Sequence, residues 1–283
     1  MTEIGKFNKL KVVNKLDDGV LLDGEELGEL FMPRSASSGE YNSGDTVDVF
    51  IFYDSEGKLL ATTKKPYAMV GDFALLKVVS ITPVGAFLDW GLKKDLLVPF
   101  SEQKEEMAEG RSYIVYVYRD ERTNRIVASS KVGRFLDKGP IELLEGQEVQ
   151  LLICSQTEIG YKAIIDNSFL GVLYKNEVFQ PLRKGLQLPG FVKKVRDDGK
   201  IDLCLQKPGP EKVADMTDKI IVALKAEGGF ISITDKSPAE IIYSMFGVSK
   251  KTYKKAIGAL YKKRLIDIES NGIRLIDKTD IPS

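Results

Sequence analysis

Histidine is absent from all 283 residues, which removes the commonest general base, the Ser-His and Cys-His nucleophile pairs and most zinc sites. Cysteine is scarce: Cys154 and Cys204 stand 50 positions apart in the numbering, fit neither a disulfide framework nor a zinc pattern, and are read as core thiols. No run approaches the roughly 18 apolar residues of a membrane span, and the opening MTEIGKFNKL lacks an apolar h-region. A cytoplasmic chain with no membrane contact is therefore expected. Phosphate-cradling glycine motifs ending in Gly-Lys-Ser/Thr are missing, and the acidic pairs Asp17-Asp18, Glu25-Glu26 and Glu105-Glu106 read as turn or loop residues, not as a nuclease's carboxylate cluster. Neither catalysis, nor a cofactor, nor a metal is expected. Net charge is also lacking, with 41 basic residues against 41 acidic, so any nucleic-acid surface has to arise from local segregation of charge.

What the chain does contain is an internal repeat. A shift of 75 residues carries Gly71, Gly85, Gly110 and Arg125 onto Gly146, Gly160, Gly185 and Lys200, and Pro99 onto Tyr174. A shift of 66 in the other direction carries Gly71, Gly85, Pro99 and Gly110 onto Gly5, Gly19, Pro33 and Gly44, with Lys58 meeting Arg125 after a one-residue gap. Leu10-Lys11-Val12-Val13 thereby falls on Leu76-Lys77-Val78-Val79, a β-branched run of strand type. After Gly44 and Gly110 come segments of strand period two: Val47, Val49 and Ile51, or Tyr113, Val115 and Val117, form the natural core side. The opposite side carries Phe50 and Phe52, then Tyr116 and Tyr118 ahead of Arg119, and in the third copy Phe191 and Lys193 ahead of Lys194. Two roles are open to these outward aromatics, stacking on bases or packing between neighbouring barrels. Each copy reads as about five short glycine-punctuated strands, a small β-barrel. Barrels of this size are marginal alone and are expected to pack together.

From Glu211 the period changes to that of helices. Val213, Met216, Ile220 and Leu224 recur at three and four residues before Gly228-Gly229 stops the helix. Ser237-Pro238 predicts an N-cap and first helical position, with Ile241, Ile242 and Met245 on one side before Gly247. Ser249 caps a longer helix with the stripe Tyr253, Ile257, Leu260 and Tyr261. Leu265 to Ile276 reads as a hairpin with Asn271-Gly272 at its turn, and Phe230-Ile231-Ser232-Ile233 as the short strand that joins it. That order is a winged helix. The fold class is thus mainly β with a C-terminal α+β domain: barrels at 1–65, 66–139 and 140–210, then a winged helix at 211–283.

The second copy's sequence of Gly85-Ala86-Phe87-Leu88, Leu97-Val98-Pro99-Phe100-Ser101-Glu102 and Arg125-Ile126-Val127-Ala128-Ser129-Ser130-Lys131 resembles the RNA-binding OB-fold repeat of ribosomal protein S-one. In that family bases stack on an aromatic of the Gly-Ala-Phe strand and on a histidine where this chain has Pro99, and a basic residue opening the last strand contacts phosphate. The resemblance implies RNA contacts at Phe87 and Arg125, and at Tyr174 and Lys200 in the third copy. The first copy has Leu21, Pro33 and Lys58 at those places. Three such repeats followed by a winged helix resemble the conserved virulence factor B proteins, which implies a non-enzymatic RNA-binding regulator of the expression of other genes.

Charge ranks the surfaces. Residues 1–65 hold eight basic and twelve acidic side chains, 66–139 eleven and ten, and 140–210 nine and nine. Between Met245 and Arg264 lie Lys250, Lys251, Lys254, Lys255, Lys262, Lys263 and Arg264 with no acidic residue, an electropositive run suited to phosphate. Single-stranded RNA is the expected partner, bound by the second and third barrels and the winged helix, with the acidic first barrel as a spacer or protein contact. The alternatives are a DNA-binding regulator acting through the winged helix and a scaffold that contacts only protein.

Overall fold

A computed structural model describes residues 1–54, 56–178, 180–207 and 211–276, without the side chains of 211–215. Five strands, β1 (Phe7–Leu16), β2 (Gly19–Asp23), β3 (Glu29–Pro33), β4 (Thr46–Tyr53) and β5 (Leu59–Thr62), close into a barrel in the order β1-β2-β3-β5-β4. The same plan returns in β6 (Phe73–Thr82), β7 (Gly85–Asp89), β8 (Leu96–Pro99), β9 (Ser112–Arg119) and β10 (Ile126–Ser129). There the sheet order is β10-β9-β6-β7-β8, and β8 lies beside β10 so that the barrel is nearly closed. The third barrel, closed again, comprises β11 (Glu148–Gln156), β12 (Gly160–Ile165), β13 (Phe169–Tyr174), β14 (Gln187–Val195) and β15 (Ile201–Cys204).

The repeated glycines have a common physical cause. Gly44, Gly110 and Gly185 adopt φ of +97°, +78° and +85°, a region closed to most side chains. Their N–H groups donate to the carbonyls of Val12, Val78 and Ile153 at 2.9, 2.9 and 2.7 Å. At those same residues the first strand of each barrel bulges, which bends it around the barrel. At Gly19, Gly85 and Gly160 a Cβ would meet the carbonyl oxygens of Met32, Val98 and Leu173 at 2.3, 2.3 and 2.0 Å.

Met1–Lys138 together with Asn167–Phe169 packs as one unit, and the rest of the third barrel with the winged helix as another. Within the first unit, Val47, Val49 and Ile51 fill the first barrel as the alternation predicts. Phe50 and Phe52, on the other side of β4, lie in the core that also holds Trp90, Leu92, Val115 and Val117. The Phe50 ring is fully buried and meets Trp90 edge-on at 5.7 Å and 79°. For this pair, packing between barrels displaces the base-stacking alternative.

The winged helix consists of α1 (Glu211–Ala226), β16 (Phe230–Ile231), α2 (Ala239–Phe246), α3 (Lys250–Lys262), β17 (Ile266–Ile268) and β18 (Ile273–Leu275), with sheet order β16-β18-β17. Met216, Ile220 and Leu224 are buried, while Val213 lies outside the described side chains. Several local expectations change. Pro238, not Ser237, is the N-cap of α2, because the Ser237 hydroxyl is taken by the Thr234 N–H at 3.0 Å. Helix α2 buries Ile242 and Phe246 and leaves Ile241 and Met245 exposed. The turn before β18 keeps Gly272 out of the left-handed region; glycine is needed there because a Cβ would come within 2.4 Å of the Ile231 carbonyl oxygen. Both cysteines are half-buried, and burial pushes the Cys154 thiol up to about 11.

Candidate nucleic-acid interface

In the first unit a groove of about 720 Å³ brings together Phe87, Arg125, Lys94 and Asp95 of the second barrel with Phe52, Tyr53, Asp54 and Gly57 of the first. Phe87 is half-buried on β7, opposite Leu97 of β8. Arg125 is exposed just before β10, at the end of a turn held by Asp120. The Asp120 carboxylate accepts from the N–H groups of Arg122 and Thr123 at 2.8 and 3.0 Å, and these bonds, that of Thr123 first, lower its pKa. Lys94 reaches across to the first barrel, where its ammonium donates to the carbonyls of Tyr53 at 3.0 Å and Asp54 at 2.5 Å. Burial and then the nearby Arg125 guanidinium lower the Lys94 pKa. Asp95 is pushed the other way, upward, by burial and then by Asp89.

Tyr116 and Tyr118 are half-buried in an aromatic cluster of their own. Phe135, from the segment after β10, stacks on Tyr116 at 4.4 Å and 22° and lies 5.0 Å from Tyr118. Phe73 closes on Tyr116 at 4.7 Å. Arg119 is exposed at the end of β9, opposite Ile126.

The third barrel presents a different surface. The Tyr174 hydroxyl donates to Asp202 at 3.1 Å and accepts from the Arg196 guanidinium, which also lies 3.1 Å from the Asp202 carboxylate. Phe191 is half-buried between Glu148 and Cys204 on the flanking strands. Lys193 is paired with Glu177 at 2.5 Å and Lys200 with Asp198 at 2.7 Å, while Lys194 is exposed. The positive charges of Lys193, Arg196 and Lys200 are thus answered within this barrel.

On α3 the buried side is Tyr253, Ala256, Ile257 and Leu260. Lys251, Lys255 and Lys262 are exposed on the opposite side by the 3.6-residue period, Lys254 is exposed on the flank, and Lys250 is half-buried at the edge of the apolar side. Lys254 pairs with Asp235 at 3.2 Å, and Lys250 donates to the Lys236 carbonyl at 3.3 Å. Tyr261 is 54% exposed and belongs to this basic side, not to the apolar stripe. Gly258 lies amid the lysines, and a Cβ there would meet nothing within 4 Å.

Sequence reading missed Lys94, Asp95, Arg196, Gly258 and Tyr261. The spacing held no signal for Tyr261, since it follows Ile257 by four and Tyr253 by eight, regular positions of an apolar stripe. No sequence pattern announces that Lys94 is gripped by carbonyls from another barrel.

Residues 4–64 and 70–139 match the S1 domain family, and residues 218–275 match the CvfB-like winged helix domain. The chain is 25% identical over 284 residues to conserved virulence factor B of Staphylococcus aureus, covering 97% of this chain and 95% of that protein. It is 25% identical over 266 residues to the protein YitL of Bacillus subtilis, covering 91% and 89%. A solved multidomain protein with nucleic acid binding domains from Streptococcus pneumoniae is 24% identical over 96% of this chain and 98% of that one, with a TM-score of 0.41. The chain is thus similar over nearly its full length to proteins named conserved virulence factor B, and it carries S1 domains and a CvfB-like winged helix domain in that order.

Proposed function

We propose that the protein binds single-stranded RNA in the cytoplasm without altering it chemically, and regulates gene expression at the RNA level. The observation that carries this reading is the second-barrel groove, where the half-exposed Phe87 ring and the exposed Arg125 guanidinium line one cleft. An aromatic face inside a cleft reaches a base only when that base is unstacked, and a guanidinium beside it suits the backbone phosphate. The S1 domain matches support the nucleic-acid part of the reading, and the regulatory part is what the resemblance to the conserved virulence factor B proteins implies.

The winged helix adds charge to the same task. Lys250 and Lys251 occupy the first turn of α3 with no acidic residue beside them, against the preference of a helix N-terminus for negative charge. An arrangement that opposes helix stability gains a reason if phosphates approach that end. The Lys251-to-Lys262 side with its bare Gly258 also favours a second reading, in which α3 reads duplex DNA.

Fluorescence anisotropy on single-stranded RNA, single-stranded DNA and duplex DNA of equal length separates the two. The expected order puts RNA tightest, with a log-log salt slope of roughly −3 to −4 if four to six phosphates are contacted. A flat salt response defeats the phosphate contacts, and tightest binding to duplex DNA transfers the recognition to the winged helix.

A further inference from the structure

We infer that the composite groove accepts one nucleotide whose base carries an exocyclic amino group, with Asp95 as the acceptor that reads it. This rests on the RNA-binding reading above and names which bases the site takes.

Most of the charged groups in and beside the groove are already engaged. One Asp54 carboxylate oxygen accepts from the N–H groups of Glu56 and Lys58, both at 2.9 Å, and so holds its own loop. The Lys94 ammonium is occupied by the Tyr53 and Asp54 carbonyls. Asp89, next to the groove, accepts from the Gly91 N–H at 2.9 Å. Arg125 and Asp95 are left, and neither side chain has a hydrogen-bond or ion-pair partner among the described residues. The half-buried Asp95 carboxylate is left to solvent, and a ligand that brings an N–H replaces water there with a charge-assisted hydrogen bond. Burial and then the Asp89 charge raise the Asp95 pKa, and a donor that reaches the carboxylate acts in the opposite direction.

One groove therefore offers a ring face, a free cation and a free acceptor. A nucleotide presents the complementary set: a base face, a phosphate and, on some bases, an amino edge. An acidic peptide would meet Asp95 with like charge. Among bases, uracil offers a carboxylate only the N3–H of its pairing edge, and the carbonyls on both sides of it set lone pairs against the carboxylate oxygens. Cytosine N4, adenine N6 and guanine N2 carry amino donors that suit it. The first barrel shares in this site despite its acidic total, because Phe52, Tyr53 and Gly57 wall the groove.

Cytosine against uracil is the cleanest comparison, since both are pyrimidines of one size. The full chain is titrated with labelled oligocytidylate and oligouridylate of equal length at fixed salt. The expected preference for cytosine is about tenfold, the scale of one charge-assisted hydrogen bond. Asp95→Asn, which keeps the shape and adds an N–H for a uracil carbonyl, should bring the ratio close to one with an unchanged melting temperature. Arg125→Ala, at an exposed position, should weaken both oligomers alike and keep the ratio. Equal affinity of the unaltered chain for both, or a ratio that survives Asp95→Asn, overturns the inference while leaving RNA binding intact. Failure to bind either oligomer refutes the RNA reading itself.

Discussion

Phe50 and Phe87 are both aromatic residues on OB-fold strands, yet they meet different surroundings. Phe50 is enclosed by Phe7, Phe52 and Trp90, with ring centroids at 5.7 to 6.3 Å, whereas Phe87 keeps a half-exposed face in the groove. Phe50→Ala should therefore cost about 3–5 kcal/mol of stability through the cavity it leaves. Phe87→Ala should barely move the melting temperature and should weaken RNA binding by roughly fivefold to a hundredfold, the worth of one stacked base. Thermal melts and RNA titrations on the two variants decide the matter: a large stability loss from Phe87→Ala with unchanged affinity of the folded protein would make Phe87 a packing residue. Period two was enough to put Phe50 and Tyr116 outside their own barrels. It carried no information on what lies beyond, Trp90 in one case and Phe135 in the other, because those partners arrive from distant parts of the chain.

At the level of elements, the glycine spacing was the most legible feature, since each repeated glycine answers to a backbone constraint that a side chain cannot meet. Helix existence was legible from the 3.6-residue period, but facing was less so: Ile241, Met245 and Tyr261 are apolar in type and exposed in fact. Apolar type alone overstates burial at the margin of a stripe, where the helix turns away from the core. Helix α3 provides a test of whether its basic side is a working surface. Gly258 is open to a Cβ, so Gly258→Ala should stabilise the protein by about 0.8–1 kcal/mol from helix propensity alone. If nucleic acid approaches the bare backbone there, the same substitution weakens binding while raising the melting temperature. Higher stability with unchanged affinity for RNA and for duplex DNA would mean that nothing docks closely at Gly258.

For the whole molecule, a net charge of zero hides both partners of a balance: an acidic first barrel and a basic α3. Charge counting predicts that loss of residues 1–65 weakens RNA binding much less than loss of residues 211–283, but the first unit argues otherwise. Phe50 and Phe52 share a core with Trp90, Leu92 and Met107, so removing residues 1–65 should expose that core and leave the second barrel unfolded or aggregated. Circular dichroism and sizing of the truncated chain would show this, and a folded truncation with full affinity would restore the spacer role. The part played by α3 is better measured without deletion. Lys251, Lys255 and Lys262 are exposed, so their joint replacement by alanine should leave stability within about 0.5 kcal/mol of the parent. For every phosphate that these lysines neutralise, the triple variant should show a salt slope shallower by about 0.7, or near 2 in all if each of the three touches the strand. An unchanged slope would confine phosphate binding to the barrels and leave the lysines as a solvated face.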